Sequence, residues 1–160
     1  MNILVLCTGN SARSILLEHL LNHAGGETVT AYSAGSQPAG QVHPQALRLL
    51  AQERIDTAGA RSKSWDEFAV DTAPVMDVVI TVCGSAATET CPIWPGAPVR
   101  AHWGVEDPAA APVEDQPRAF ADAYAILSRR ARALLSLPLH DLGQDGATLQ
   151  RELIRIGALS

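Results

Sequence analysis

Two residues near the start of the chain have the types and spacing for nucleophilic chemistry on an anion. Cys7 and Arg13 stand at the two ends of a polar segment within "CTGNSARS", with five residues between them. A cysteine thiolate is a nucleophile, and a guanidinium holds a tetrahedral oxyanion through two hydrogen bonds. Taken alone, Cys7 fits a buried structural cysteine equally well. The spacing of the whole segment favours covalent chemistry on an oxyanion.

The residues between Cys7 and Arg13 are suited to binding that anion. Backbone N–H groups that lead into the start of a helix point at such a site together with the helix dipole. We expect Gly9 to adopt a backbone angle that a side chain would resist, Asn10 to organise the loop, and Ser14 to donate a hydrogen bond to the thiolate. The same positive surroundings should lower the pKa of Cys7. The predicted oxyanion-binding residues are Thr8, Gly9, Asn10, Ser11, Ala12, Arg13 and Ser14.

Alternating strands and helices must position this loop. Short, largely apolar runs predict strands over residues 2–6, 28–33, 77–82 and 97–102, and helical spacing predicts helices over 14–23, 44–53, 62–69 and 115–137. Nearly all-apolar strands between helices are typical of a parallel sheet that is covered on both faces. The sequence therefore predicts an α/β fold with Cys7 at the carboxyl end of a strand, where ligands of such sheets bind.

Composition and charge limit the classes of protein to which this chain can belong. The chain has 160 residues, enough for one domain, and its formal net charge of -5 argues against nucleic acid as a partner. Its apolar runs are too short to cross a bilayer, and no signal peptide pattern opens it. We therefore expect a cytoplasmic protein without a membrane partner. In that compartment its 3 cysteines should be reduced, redox-active or catalytic.

The segment "CTGNSARS" resembles the Cys-x5-Arg-Ser anion loop of the low-molecular-weight tyrosine phosphatases and of the arsenate reductases that share their fold. The resemblance covers about residues 2–136, and it implies a single-domain, four-stranded parallel sheet flanked by helices. We expect a phosphatase-like domain over residues 1–137. Residues 138–160 form an unmatched extension, expected to be a short packed helix with Leu149, Leu153 and Ile156 on one face.

The same resemblance assigns a general acid. In this family an Asp before a Pro gives a proton to the leaving oxygen, and "HWGVEDPAA" supplies Asp107 and Pro108. An ordinary Asp-Pro turn is the alternative. Glu106 is a competing acid, but the family pattern places the role at Asp107.

Two further features separate the branches of the family. The phosphatases usually carry aromatic residues after the Asp-Pro pair, whereas this chain has alanines at 109–111. The segment "VCGSAATETCPIWPG" resembles the thioredoxin-linked arsenate reductases, which implies catalytic roles for Cys83 and Cys91. In the implied cascade, Cys7 attacks arsenate, Cys83 attacks Cys7 as arsenite departs, and Cys91 attacks Cys83. An external dithiol then reduces the last disulfide, with no tightly bound cofactor.

The chain departs from that pattern in two places. Seven residues separate Cys83 from Cys91, one more than in the best-known members, and Ala12 stands where many relatives have a cysteine. The longer spacing leaves open whether Cys91 is the final resolving thiol, and glutathione with glutaredoxin is an alternative to thioredoxin. Cys83 and Cys91 would also fit structural thiols, or zinc ligands together with His102, although their spacing is unlike a usual zinc pair.

Some relatives bind a potassium ion beside the anion loop. The matching positions are Asn10, Glu18, Ser33 and Asp66, whose oxygen atoms suit a hard cation. Glu18 and Asp66 are also consistent with ordinary surface residues.

The leading hypothesis is an arsenate reductase acting in arsenic detoxification. A phosphatase that hydrolyses phosphate monoesters through Cys7, Arg13 and Asp107 is the second hypothesis. A non-enzymatic redox or oxyanion sensor that binds partners through residues 83–96 is the third.

Overall fold

The computed structural model describes residues 1–89, 92 and 94–160. Four strands are present: β1 Asn2–Cys7, β2 Thr30–Gly35, β3 Val78–Thr81 and β4 Val99–His102. The α-helices of the described residues are α1 Arg13–Gly25, α2 Pro44–Gln52, α3 Gly84–Thr88, α4 Gln116–Leu135, α5 Leu139–Leu142 and α6 Gly146–Gly157. Short 3-10 helices cover Trp65–Phe68, Pro108–Ala110 and Val113–Asp115.

The strands form one sheet in the order β2-β1-β3-β4, and every neighbouring pair is parallel. This confirms the predicted α/β class with a four-stranded parallel sheet. Cys7, the last residue of β1, lies opposite Gly35, the last residue of β2. The chain leaves β3 at Thr81, two residues before Cys83. The carboxyl ends of three adjacent strands therefore bring these three segments to one edge.

Alternate side chains of the strands enter two separate apolar layers. Ile3 and Val5 of β1 pack with the leucines of α1 and with α4 and α6, while Leu4 and Leu6 pack with Trp65 and Trp94 on the opposite face. Both faces of the sheet are thus covered, which explains why its strands are continuous apolar runs. All three tryptophans, Trp65, Trp94 and Trp103, are buried packing residues.

The last helix of the chain, α6, packs against the edge strand β4. Leu149, Leu153 and Ile156 are its buried face. The indole N–H of Trp103, just after β4, donates to the backbone oxygen of Leu153 at 2.9 Å. This contact connects the C-terminal extension to the segment that leads from β4 towards Asp107.

The structure differs from the sequence prediction most clearly at three elements, while β4 also begins two residues later and α4 ends two residues earlier than predicted. Strand β2 begins and ends two residues later than predicted. The helix predicted over 62–69 is a four-residue 3-10 helix, Trp65–Phe68, which Ser64 caps by accepting from the N–H of Asp66. The short helix α3 was not predicted, because five residues contain too little periodicity to show a helix.

No helix in the described part of the chain is both long and apolar enough to cross a membrane.

Candidate active site

The loop after β1 forms a cradle of backbone N–H groups beside Cys7. The carbonyls of Thr8, Gly9 and Ser11 accept hydrogen bonds from backbone N–H groups of the segment 37–43, at 2.8 to 3.0 Å. These contacts turn the loop carbonyls outward. The N–H groups of residues 9–12 donate to no described acceptor. Donors without acceptors beside a buried thiol suit the oxygen atoms of an anion.

The start of α1 adds further donors to the cradle. No side chain caps this helix at Ala12, so its first N–H groups remain available to a ligand. The Nε of Arg13 is buried and has no hydrogen-bond partner among the described residues. Nη1 of Arg13 donates to the carbonyl of Val105 at 2.9 Å, which aims the guanidinium across the cradle. An oxyanion would satisfy both the helix N-terminus and the free Nε.

A close approach of β2 fixes the shape of the loop. A Cβ on Gly35 would lie 2.4 Å from the carbonyl oxygen of Thr8 and 3.1 Å from the backbone nitrogen of Asn10. Only glycine fits there. The expectation that Gly9 needs an unusual backbone angle was wrong, since the positive φ of this loop belongs to Asn10, at 47°.

Asn10 makes three hydrogen bonds that hold the loop. Its Nδ2 donates to Ser14 Oγ at 2.8 Å and to Ser33 Oγ at 3.0 Å, and its Oδ1 accepts from the N–H of Lys63 at 2.9 Å. Ser14 thus contacts Asn10, and no hydrogen bond from Ser14 to Cys7 is found among the described residues. The backbone N–H of Thr8 is the donor that reaches the sulfur of Cys7.

Cys83 lies beside Cys7 at the carboxyl edge of the sheet. Both are buried free thiols, and their sulfurs are within hydrogen-bonding reach of each other. Cys83 also caps α3 by accepting from the N–H of Ala86 at 3.4 Å, and the hydroxyl of Thr8 lies 3.5 Å from its sulfur. The structure therefore brings together the two cysteines that the sequence placed 76 positions apart.

The contact between the two thiols shifts their pKa values in opposite directions. The hydrogen bond from Cys7 lowers the pKa of Cys83 to about 5, with help from Thr8 and Ala86 and against the effect of burial. The same hydrogen bond, followed by burial, raises the pKa of Cys7 far above that of an ordinary thiol, and Arg13 opposes this rise. The pKa of Cys7 is thus not lowered as expected, because the effect of Cys83 outweighs that of Arg13.

Asp107 lies beside Arg13 of the anion loop. Its Oδ2 is 3.7 Å from Nη2 of Arg13, and its Oδ1 accepts from the N–H of Ala109 at 3.0 Å. The carboxyl group is 43% exposed, so it can exchange protons with solvent. Glu106, the competing acid, has no hydrogen bond or ion pair within the described residues.

A cavity of about 570 Å³ adjoins Asp107. Its walls include Pro108, Ala110 and Ala111 together with Glu106 and Asp122, and none of its described lining residues is aromatic. The cavity thus adjoins the predicted acid, and no residue of the anion loop is among its described lining residues.

The residues predicted to hold potassium are only partly brought together. Asn10, Ser33 and Glu18 form one hydrogen-bonded cluster, in which Ser33 Oγ donates to Glu18 Oε2. Asp66 is exposed, and its side chain makes no contact with that cluster in the part of the chain described. The ammonium of Lys63 lies beside Ser33 and Glu18, and the backbone N–H of Lys63 contacts Asn10.

Cys91 lies outside the described residues, so the predicted third thiol and the zinc alternative have no geometry here. Within the described residues, no three His, Cys, Asp or Glu side chains are grouped as a metal site.

Sequence reasoning missed several residues of the site. Gly35, Lys63 and Glu89, whose carboxylate accepts from the Thr8 hydroxyl at 3.3 Å, reach the loop from distant parts of the chain. Gly35 ends an apolar strand at its carboxyl edge, which was the one available signal. Nothing in the local sequence marks Lys63 or Glu89.

A parallel sheet that presents a buried cysteine, an N–H cradle and an arginine at one edge defines an α/β protein built for covalent chemistry on oxyanions. The profile of the family described as low molecular weight phosphotyrosine protein phosphatase matches residues 2–153. The chain therefore belongs to this family. The match extends beyond residue 137, into the C-terminal extension.

Several proteins that the chain resembles are named arsenate reductases. The chain is 38% identical over 114 residues to an arsenate reductase of Halalkalibacterium halodurans, covering 71% of this chain and 78% of that protein. The crystal structure of an arsenate reductase from Archaeoglobus fulgidus is 28% identical, with a TM-score of 0.60 over 81% of this chain and 98% of that one. An arsenate reductase in the phosphate binding state is 26% identical, with a TM-score of 0.65 over 84% and 96%.

Proposed function

We propose that this protein reduces arsenate to arsenite, with Cys7 as the nucleophile and Cys83 as the second thiol. The observation that carries the proposal is the contact between these two buried sulfurs inside an oxyanion cradle. Phosphate ester hydrolysis needs only one thiol, whereas a two-electron reduction needs a second one at hand. The arsenate reductases that the chain resembles support the same choice.

The first step forms a sulfur–arsenic bond. A proton passes from Cys7 to Cys83, which places the negative charge on Cys7 beside Arg13 and the cradle N–H groups. Arsenate binds with its oxygens on those donors, and the Cys7 thiolate attacks arsenic. Asp107 gives a proton to the departing oxygen, which leaves as water. Arsenic is still As(V) at this point.

The second step transfers the electrons. Cys83 attacks the sulfur of Cys7, and the Cys7–Cys83 disulfide forms as the sulfur–arsenic bond breaks. The electron pair of that bond stays with arsenic, which leaves as arsenite. The proton of Cys83 departs with it. The two sulfurs have lost the two electrons that arsenic has gained.

The third step restores the nucleophile. Cys91 attacks Cys83, which releases Cys7 and leaves a Cys83–Cys91 disulfide for an external dithiol protein. Thioredoxin is the reductant that we propose, and glutathione with glutaredoxin is the alternative if Cys91 does not resolve Cys83. We propose that this reaction takes place in the cytoplasm, without a tightly bound cofactor.

A phosphatase is the second candidate, because Cys7, Arg13 and Asp107 are equally suited to phosphate. The alanines at 109–111 argue against phosphotyrosine as the natural substrate, since no aromatic side chain directly follows Asp107 and Pro108 to hold the ring. Because both reactions begin with attack by Cys7 on a tetrahedral oxyanion, we expect weak hydrolysis of small aryl phosphates.

The test compares the two reactions in one variant. Cys83→Ser should lose arsenate turnover at least about a hundredfold, measured as NADPH oxidation with thioredoxin and thioredoxin reductase, because no second thiol remains. It should keep at least about a third of its aryl phosphatase activity, because attack by Cys7 on a phosphate ester needs no second thiol and the largest cause of the raised pKa of Cys7 is removed. Cys7→Ser is the matched control and should lose both. Arsenate turnover that survives Cys83→Ser would overturn the proposal.

A Cys91→Ser variant separates the reductants. If thioredoxin acts through Cys91, this variant should keep one turnover and lose the thioredoxin-coupled steady state. If it also keeps the steady state with glutathione and glutaredoxin, a mixed disulfide at Cys83 is the route, and mass spectrometry should find it there.

A further inference from the structure

A buried lysine ammonium lies behind the anion loop, in the cluster where the sequence predicted potassium. Lys63, the only lysine of the chain, is 7% exposed. Its Nζ lies 3.1 Å from the carbonyl oxygen of Arg61, 3.4 Å from Ser33 Oγ and 3.9 Å from Glu18 Oε2. Three oxygen atoms from separate parts of the chain thus lie around the ammonium, and one of them belongs to a carboxylate.

We propose that the Lys63 ammonium is the resident cation of the Asn10–Ser33–Glu18 cluster and positions the anion loop, so that the protein binds no potassium ion there. The ammonium and a potassium ion would need the same oxygens. Ser33 Oγ already accepts from Lys63 and Asn10 and donates to Glu18, which uses its whole hydrogen-bonding capacity.

The orientation of Asn10 also disfavours an inorganic ion. Its Oδ1, the atom that would ligate a cation, accepts from the backbone N–H of Lys63, and its Nδ2 faces Ser33 and Ser14. The N–H of Lys63 can only donate, which fixes this orientation of the amide. With Asp66 exposed and apart, the oxygens left for a potassium ion are those of Ser33, Glu18 and the Arg61 carbonyl. All three face the ammonium, so they become available only when the Lys63 side chain is replaced.

The cluster connects directly to the anion loop. Lys63 holds Asn10 Oδ1 through its N–H, and its carbonyl accepts from the N–H of Gly35 at 2.9 Å. Asn10 is the loop residue with positive φ, so it needs stabilisation from outside the loop. These two contacts belong to the backbone of Lys63. Its ammonium reaches the loop through Ser33 Oγ, which also accepts from Asn10 Nδ2, and in this way it acts as a positioning residue for oxyanion binding.

Charge balance in the cluster supports the same role. Glu18 is the carboxylate that faces Lys63, and its side chain is only 14% exposed. Burial lowers the pKa of Lys63, and Glu18 opposes that effect by favouring the ammonium. His19 lies 3.9 Å from the same carboxylate oxygen. Without the ammonium, a largely buried carboxylate would lose its nearest lysine or arginine.

The test is the response of Lys63→Met to potassium. In tetramethylammonium chloride we expect its melting temperature to fall by roughly 5 °C or more below that of the unaltered chain. Potassium chloride at the same ionic strength should restore this loss in a saturable manner, because the ion enters the vacated cluster. The affinity for inorganic phosphate, measured by calorimetry, should fall several-fold in the variant and recover with potassium. The unaltered chain should show no potassium-specific change in either quantity.

Arg61→Met is the matched control. It removes a positive charge two residues away, from an exposed pair with Glu67, and leaves the cluster untouched. It should show no response to potassium. A saturable, potassium-specific rise in the melting temperature of the unaltered chain would overturn the proposal, as would a Lys63→Met protein that potassium does not restore. If Lys63→Met does not fold, Lys63→Gln and the measurement on the unaltered chain give the same decision. The proposal rests on the loop being the oxyanion site, but neither readout requires arsenate turnover.

Discussion

At the scale of single residues, the reactivity of Cys7 depends on its neighbours more than on the loop around it. The N–H cradle and Arg13 favour a thiolate, yet the hydrogen bond to Cys83 raises the pKa of Cys7 more strongly than Arg13 lowers it. The same contact has the opposite effect on Cys83, because it lowers the pKa of Cys83 to about 5. Their contact therefore shifts the pKa values of the two thiols in opposite directions and favours the thiolate at Cys83.

This coupling predicts that removing Cys83 lowers the pKa of Cys7. Because Cys83 is the largest cause of the raised pKa, Cys83→Ala should move the pH midpoint of Cys7 alkylation by iodoacetamide downward by roughly one unit or more. Alkylation at neutral pH should become faster, as a larger fraction of Cys7 is thiolate. Mass spectrometry of the Cys7 peptide at several pH values measures it. An unchanged or higher midpoint would show that Cys83 does not control this thiol.

Individual site residues were predictable where their role is local in sequence. Cys7 and Arg13 belong to one loop, and their spacing alone indicates how they are used. Lys63 and Gly35 reach that loop through the sheet, and the direction of the Cys7 pKa depends on a sulfur 76 positions away. Such effects depend on tertiary contacts and leave no pattern in the surrounding sequence.

At the scale of secondary-structure elements, the end of β2 packs directly against the anion loop and limits where the loop can lie. Gly35 lies so close to the carbonyl of Thr8 that any side chain must displace the loop or the strand. The strand and the loop are therefore one unit, and the cradle has its shape because β2 ends in glycine.

Gly35→Ala should weaken oxyanion binding while the fold persists. A Cβ 2.4 Å from the Thr8 carbonyl must push the loop aside, and we expect phosphate affinity to fall roughly ten- to hundredfold with a stability loss of about 1–3 kcal/mol. Calorimetric titration with phosphate and thermal unfolding measure these effects. Gly59→Ala is the control, because no atom lies within 4 Å of a Cβ there. Equal phosphate affinity in both variants would contradict the close-approach argument.

Periodicity located the long elements but not the short ones. The strands of the sheet and the helix α4 follow from continuous apolar runs and from an apolar stripe. The helix α3 and the 3-10 helix Trp65–Phe68 have five and four residues, and they form because Cys83 and Ser64 cap them. Caps of this kind depend on side-chain geometry at one residue, which a pattern of hydrophobicity does not record.

At the scale of the whole molecule, the C-terminal extension is tied to the segment that carries Asp107. Arg130 of α4 is buried, and its guanidinium donates to the carbonyls of Trp103, Gly104 and Leu159 at 2.8 to 3.2 Å. The Arg130 side chain thus holds both the start of the segment that leads to Asp107 and the end of the chain.

Replacement of Arg130 should affect both stability and the acid. Arg130→Leu leaves three carbonyls without their donor, and we expect a loss of about 1–3 kcal/mol in the free energy of unfolding. The rate constant kcat for aryl phosphate hydrolysis should fall more than the affinity for phosphate. The replacement displaces the segment that carries Asp107 but leaves the anion loop in place. Arg129→Leu, which loses an exposed contact to Ser160, is the control. Equal effects of Arg130→Leu and Arg129→Leu on stability and on kcat would contradict this role of Arg130.

The central claim is that Cys7 and Cys83 supply the two electrons that reduce arsenate. Fully reduced protein mixed with arsenate, without any reductant, tests it most directly. We predict one arsenite per chain, a fall in free thiols from 3 to 1, and a disulfide of Cys83 in the peptide map, paired with Cys7 or with Cys91. Cys83→Ser should release no arsenite. Arsenite release by that variant, or reduction in the unaltered chain without any disulfide at Cys83, would contradict the account.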